Sequence, residues 1–241
     1  MDKSISSRAT EALAYLQQDS LLHMGMIDPI RRGTADILHH CSEGVLLHER
    51  QSGAMMLSSL HYSTGCAWLE ALGRPALLCV HQKCFAEYIC TKTSYVNQLT
   101  CLQAVYCVSD PLPLNGNYLQ IHALPEEAAT EIHGHYHAYA DYTYIASRIA
   151  CGELFGGYLD GVLCGFIGTH AEGSLGMLYV LPSYRRKGIA SLLESFMVNR
   201  ALAKGYVPYV QIDPTNEQSI NLHLSLGFSL SPGQLYWFFD V

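Results

Sequence analysis

The chain has 241 residues, of which 49% are hydrophobic and only 15% charged. Such a composition can bury a sizeable core and excludes a disordered polymer, and the length allows one large domain or two small ones. The net charge of −7, with no Lys/Arg cluster against it, argues against nucleic acid and anionic membranes as partners and mildly favours encounter with cationic ligands such as amines.

Along the chain, TEALAYLQQD predicts a short amphipathic helix with Leu13 and Leu16 on one face, and LLHMGMIDPIRR a second helix interrupted at Pro29. GVLLHER and AMMLSSL flank QSG as a hairpin. PALLCVH predicts a buried strand, FAEYICTKT a helix and CLQAVYCV another strand. The stretch SDPLPLNGN has linker chemistry and places a boundary near residue 115. Beyond it YLQIHAL alternates as a strand, and PEEAATEIHGHY and DYTYIASRIAC predict two helices. ELFGGYLD, VLCGFIGTH and SLGMLYVL form three successive strands, turning at Asp160-Gly161 and Glu172-Gly173. The helix ASLLESFMVNRALAK ends at Gly205, and the strand YVPYVQID follows. Thr215 and Gln218 read as a capping box for a last helix, and FSLSPGQLYWFF as a closing strand pair.

No apolar run reaches the roughly 18–20 residues that span a bilayer. The N-terminal stretch MDKSISSRATEALAYLQQ lacks the apolar centre of a signal peptide, so the expected location is the cytoplasm. Nine cysteines without a C-x-x-C pair are expected to be reduced thiols rather than a disulfide or zinc framework.

The chemistry concentrates in LYVLPSYRRKGIASLL, where a buried strand runs through a tight turn into a helix. Arg185, Arg186 and Lys187 surround the turn, and Gly188, Ile189, Ala190 and Ser191 open the helix. Consecutive N–H groups at a helix N-terminus form an anion nest, so this is expected to be a pyrophosphate site. It has neither the G-x-x-x-x-G-K-[ST] of a triphosphate loop nor the G-x-G-x-x-G of a dinucleotide turn.

The Arg-x-x-Gly-x-Gly/Ala turn formed by Arg185, Gly188 and Ala190 resembles the signature of the GNAT acetyltransferases. A second signature follows downstream in NEQSINLHLSLGF, with Asn216, Ser219, Leu222, Gly227 and Phe228. The resemblance covers roughly residues 117–241 and is most similar to the glycine N-acyltransferase-like branch, where NxxSxxLHxxLGF also occurs. It implies an α+β, three-layer GNAT fold with a central mixed, mostly antiparallel sheet flanked by helices over residues 116–241. Residues 1–115 would form an α/β domain without a recognisable motif, either a degenerate GNAT-like half or an unrelated cap.

The resemblance further implies acetyl-CoA or another acyl-CoA as co-substrate and the primary amine of a small molecule or amino acid as acceptor. Backbone groups of Leu178, Tyr179 and Val180 would pair with the pantetheine arm, Arg186 to Ser191 would hold the pyrophosphate, and Asn216 would lie near the arm's amides. An N–H near Leu178 or Tyr179 would stabilise the oxyanion. Glu172, near the start of the motif strand, is where such enzymes carry a side-chain base; a solvated turn glutamate is the alternative. Many relatives place a tyrosine acid where this chain has His223, which either protonates the thiolate or packs on its helix. In the His- and Tyr-rich stretch EIHGHYHAYADYTYI, Tyr136 and Tyr139 are expected to line the acceptor pocket. His133, His135 and His137 alternate like metal ligands, but on helix and loop they diverge, and no metal is expected. A silent CoA-binding sensor and a peptide N-acetyltransferase remain the competing readings.

Overall fold

In a computed structural model the structure describes residues 6–114, 118–136 and 141–240. The chain divides into two compact units. The first comprises Met1–Val105, Ile212–Asn216 and Leu230–Val241, and the second Tyr106–Gln211 and Glu217–Ser229. The sequence places one break near residue 115, whereas these units are not contiguous: the chain returns to the first unit twice.

The first unit opens with α1 (Ser7–Leu16) and α2 (Met24–Arg32). Ser6 caps α1 through its hydroxyl, which accepts the Ala9 N–H at 3.2 Å. Pro29 lies inside α2 rather than interrupting it. Its ring removes one intrahelical bond, and the Asp28–Arg32 ion pair at 2.6 Å spans the position. Then follow β1 (Ala35–Cys41), β2 (Gly44–Glu49), β3 (Met55–Ser59), α3 (Tyr62–Leu72), β4 (Leu77–Val80), α4 (Lys83–Lys92) and β5 (Asn97–Val105). The hairpin predicted around QSG is β2–β3. Neither β1 nor α3 is visible in the sequence pattern. β1 alternates between half-buried and exposed positions, and α3 buries only Gly65 and Leu69.

The second unit runs β6 (Gln120–Ala123), α5 (Ala129–His135), α6 (Tyr142–Ala150), β7 (Leu154–Leu159), β8 (Val162–Thr169), β9 (Leu175–Val180), α7 (Ile189–Ala203), β10 (Tyr209–Ile212) and α8 (Glu217–Ser225). The expected capping box of α8 does not form. Thr215 turns the other way, its hydroxyl donating to Asp213 Oδ1 at 2.7 Å and its N–H to the same oxygen at 2.8 Å.

The last strand, β11 (Ser229–Phe239), is one strand rather than a pair. Pro232 cannot donate to a ladder, and Ser231 substitutes: its hydroxyl accepts the Gln103 N–H at 3.1 Å and donates to the Gly233 carbonyl at 2.6 Å. All of β11 but its first residue belongs to the first unit, whose strand order is β1-β2-β3-β4-β11-β5. β4 and β11 pair antiparallel from Val80↔Tyr236 to Leu77↔Phe239. Around this sheet Leu46, Leu57, Leu78, Phe85, Ile89 and Phe238 form a buried cluster, each side chain contributing about 1.5–3 kcal/mol on burial.

In the second unit the order is β10-β9-β8-β7-β6. The β6 to β9 pairings are antiparallel and the β9–β10 pairing is parallel. Helices α5 and α6 cover one face through Ile132, Ile145 and Ile149, which pack on Leu154, Phe166 and Met177. The mixed sheet flanked by helices is the architecture expected from the sequence. In chain order, residues 7–105 and 129–239 run through the same elements, two helices, three strands, then helix, strand, helix, strand, the last of these strands, β11, falling in the first unit.

Candidate functional site

The site is built on β9. Met177 adopts a positive φ of 53° in mid-strand. Opposite it the register with β8 slips between Gly168↔Gly176 and Phe166↔Tyr179, which is a β-bulge that bends and twists the strand. The parallel partner β10 meets β9 at Leu175↔Val210, before the bulge. Beyond the bulge the Leu181 N–H donates to Cys164 on the β8 side at 3.0 Å. Strand alternation therefore turns the backbone groups of Leu178 and Val180 to the opposite edge, and those of Tyr179 to β8.

β9 leads through Pro182–Tyr184 into α7. Two residues of the turn are left-handed, Arg186 at φ 62° and Gly188 at φ 79°. No side chain caps α7, whose N-cap is Gly188. Its first-turn N–H groups therefore point outward with the positive end of the helix dipole behind them. Lys187, exposed, lies over the Tyr184 ring at 5.3 Å. Arg185 points back along the strand: its Nε donates to the Val180 carbonyl at 3.0 Å and its guanidinium lies 5.6 Å from the Tyr179 ring centroid. The turn thus offers the main chain of Arg186 to Ser191 to an anion, and Arg185 braces it.

Glu172 is 8% exposed, in the turn before β9. Its carboxylate accepts the Ser174 hydroxyl in a short hydrogen bond, and its carbonyl accepts from Tyr209 at 3.0 Å. Beside it Tyr144 of α6 meets His170, Oη to Nδ1, at 3.0 Å. Burial, then the Glu172 charge, pushes the Tyr144 hydroxyl well above its ordinary range. Burial holds His170 below its ordinary value, against the pull of Glu172 and with the push of Arg148.

His223 is 3% exposed on α8 and Glu194 1% exposed on α7. The His223 Nδ1–H donates to the Ser219 carbonyl at 2.7 Å, Nε2 faces Glu194 Oε1 at 3.5 Å, and Phe228 packs edge-on at 5.0 Å. Burial lowers the affinity of His223 for a proton, but the Glu194 carboxylate outweighs it and the pKa is raised. Protonating a leaving thiolate needs a ring nitrogen turned to a cleft, and both of these face protein partners.

Tyr136 packs edge-on against Phe166 at 6.2 Å, and Phe166 stacks on Tyr179, which in turn stacks on His135. Tyr139 and His137 lie outside the described residues. Asn216 immediately precedes α8, its N–H donating to the Asp213 carbonyl at 2.9 Å. Among the described residues no group of three or more His, Cys, Asp or Glu is arranged to hold a metal, and no helix is long and apolar enough to cross a membrane. Sequence reasoning missed the Met177 bulge, the Tyr144–His170 pair and Glu194. The left-handed residue of the bulge is a methionine rather than a glycine, and the other contacts join residues far apart in sequence.

Residues 118–228 match the model of the Acetyltransferase (GNAT) family. A Drosophila protein of solved structure has a similar fold, with a TM-score of 0.68 at 16% identity over 99% of this chain and 97% of its own. A GNAT-family acetyltransferase from Colwellia psychrerythraea gives 0.52 at 16% identity over 94% and 96%. A tandem GNAT protein from the clavulanic acid biosynthesis pathway gives 0.51 at 13% over 98% and 94%. At these identities the likeness is one of fold. No curated protein matches the sequence.

Proposed function

We propose that the second unit transfers an acetyl or other short acyl group from a CoA thioester to a primary amine of a small molecule or amino acid, by direct attack in a ternary complex. The observation that carries this reading is the bulged edge of β9 running into the uncapped start of α7. The main-chain groups of Leu178 and the N–H of Val180 offer a strand edge to the amides of the pantetheine arm, and Tyr179 keeps that edge straight by pairing with Phe166. Arg186, Lys187, Gly188, Ile189, Ala190 and Ser191 offer N–H groups and positive charge to the pyrophosphate. The Leu178 N–H, on the open edge, is the donor for the oxyanion formed when the amine attacks. Acid–base work belongs to the Glu172 end of β9. Tyr136 contributes to the acceptor wall through the aromatic group around Tyr179. His223 we assign to holding α8 against α7 through Glu194 rather than to proton transfer.

The first unit is, on this reading, a GNAT-like repeat that has lost the site. Residues 7–105 repeat the element order of residues 129–239 along the chain, and a structural neighbour with a TM-score of 0.51 is a tandem GNAT protein. Its β3–β4 pair, the counterpart of β9–β10, stays joined from Met55↔Leu78 to Leu57↔Val80. Past that point the Gln82 carboxamide accepts the Ser59 N–H at 3.1 Å and donates to the Ser58 hydroxyl at 2.8 Å, occupying groups an arm would need.

The test is thiol release from acetyl-CoA with a panel of amines, beside calorimetric acetyl-CoA binding. Release with a particular amine and one binding site per chain is expected. Absence of binding would sink the reading. Binding without release from any acceptor would favour a silent CoA sensor.

A further inference from the structure

Tyr144 and His170, 26 positions apart, meet at the start of β9 with Oη 3.0 Å from Nδ1 and rings nearly parallel at 24°. Tyr144 Oη also accepts the Ala171 N–H at 3.2 Å, which fixes the phenol against the loop. The far edge of the imidazole lies on β9 itself: a Cβ at Gly176 would fall 2.5 Å from His170 Nε2. Any side chain at 176 would evict the ring, so glycine there holds a place for it. Arg148 of the same helix as Tyr144 donates to the Thr169 carbonyl at 2.9 Å and pins the strand end that precedes His170.

Resting on the acyltransfer reading above, we propose that His170 is the proton acceptor for the attacking amine, with Tyr144 orienting its ring and Glu172 stabilising the imidazolium. In the tautomer this role requires, Tyr144 Oη accepts the His170 Nδ1–H as well as the Ala171 N–H, and Nε2 is left unprotonated beside Gly176. Two positions on, β9 presents Leu178, the donor assigned to the oxyanion. The charged and titratable groups facing His170 are Glu172 from the turn before β9 and Arg148 and Tyr144 from α6. Tyr136 acts on the pair through Tyr144. Burial keeps the imidazole free of a proton near neutral pH, the state a base must start from. Glu172 itself is committed to Ser174 and serves as the counter-charge.

The ammonium gives one proton to His170 Nε2, and the neutral amine attacks the thioester carbon, forming C–N. The tetrahedral adduct collapses, breaking C–S, and the remaining surplus proton of the former amine leaves with CoA as the thiol. His170 returns its proton to solvent. The products are amide, CoA thiol and one proton.

The measurement compares an alkylamine acceptor with its aminooxy counterpart, which is the same size but already neutral at pH 7. His170→Gln should bind acetyl-CoA like the wild type in calorimetry and lose about 10²-fold or more in kcat/KM with the alkylamine. With the aminooxy acceptor it should lose only a few-fold. Tyr144→Phe keeps the ring packing and removes the Nδ1 partner, so it should show a smaller loss with the same preference between acceptors. If His170→Gln loses equally with both acceptors, or with neither, the proposal is overturned while the acyltransferase reading stands. Should His170→Gln fail to fold, Tyr144→Phe decides by the same comparison. A wild type that neither binds acetyl-CoA nor releases thiol would overturn the reading itself.

Discussion

Acidification should unfold the first unit through its buried histidines. His81, buried, is pushed down to about 3 from 6.5 by burial, with the His23 ring 5.4 Å away adding to the effect and its bond to the Leu57 carbonyl opposing it. A lowered folded pKa means that below 6.5 the unfolded chain binds a proton the folded chain refuses. Stability is therefore complete above pH 6.5 and falls as pH drops. One proton taken up on unfolding gives a slope of about 1.4 kcal/mol per pH unit, or roughly 2 kcal/mol between pH 6.5 and 5. His23 is also lowered, mainly by burial, and acts in the same direction. Trp68 and Trp237, the two tryptophans of the chain, both belong to the first unit, so tryptophan fluorescence in urea reports its transition. Titrations at pH 7.5, 6 and 5 should show the midpoint falling steeply. His81→Gln keeps a polar atom near Leu57 and cannot titrate, so whatever it costs at pH 7.5, it should flatten the slope by about one proton. Equal slopes in the two proteins would refute the reasoning.

In the second unit the sign is reversed. The raised pKa of His223 makes its pairing with Glu194 fully effective below pH 6.5 and lost as pH rises through the folded value. Glu194→Gln should thus cost more stability at pH 6 than at pH 8 in circular-dichroism melts, and equal costs would count against a charged pair. Gly188→Ala places a Cβ at φ 79°, a strain of about 1–2 kcal/mol, and should weaken acetyl-CoA binding by roughly tenfold in calorimetry. Lys187→Ala removes an exposed cation from the same turn, so binding should weaken only a few-fold, and the difference should vanish in roughly 1 M salt.

Much of the second unit was legible because its signals are local. A glycine before an apolar helix marks the turn at Arg185 to Ala190, and alternation marks β7, β8 and β9. The chemistry inside that frame was less legible. Met177 is an ordinary residue in an uncommon conformation, so nothing in its identity announces the bulge that separates the edge of β9 from β10. His223 and Glu194 gain their meaning from packing between two helices, and His170 from a tyrosine in a distant helix and a glycine on the next strand. Thr215 and Gln218 have the spacing of a capping box, yet the Asp213 carboxylate, two residues away, competes for the threonine. In the first unit α3 escaped notice because it buries few residues, and FSLSPGQLYWFF looked like two strands because Pro232-Gly233 reads as a turn until Ser231 is seen taking over the ladder bond.

The placement of β11 bears on how the chain can be made. Gln103 and Ser231, joined across β5 and β11, lie 128 positions apart. As the polypeptide leaves the ribosome, β4 and β5 must wait for a strand synthesised long after them, each with an unpaired row of N–H and C=O groups. Closing so long a loop slows folding, and open edges in the meantime invite pairing with another nascent chain. The same holds for a fragment cut near residue 115: it would lack the strand that lies between β4 and β5. Coexpressing such a fragment with the remainder, rather than purifying it alone, is the arrangement under which it should stay in solution.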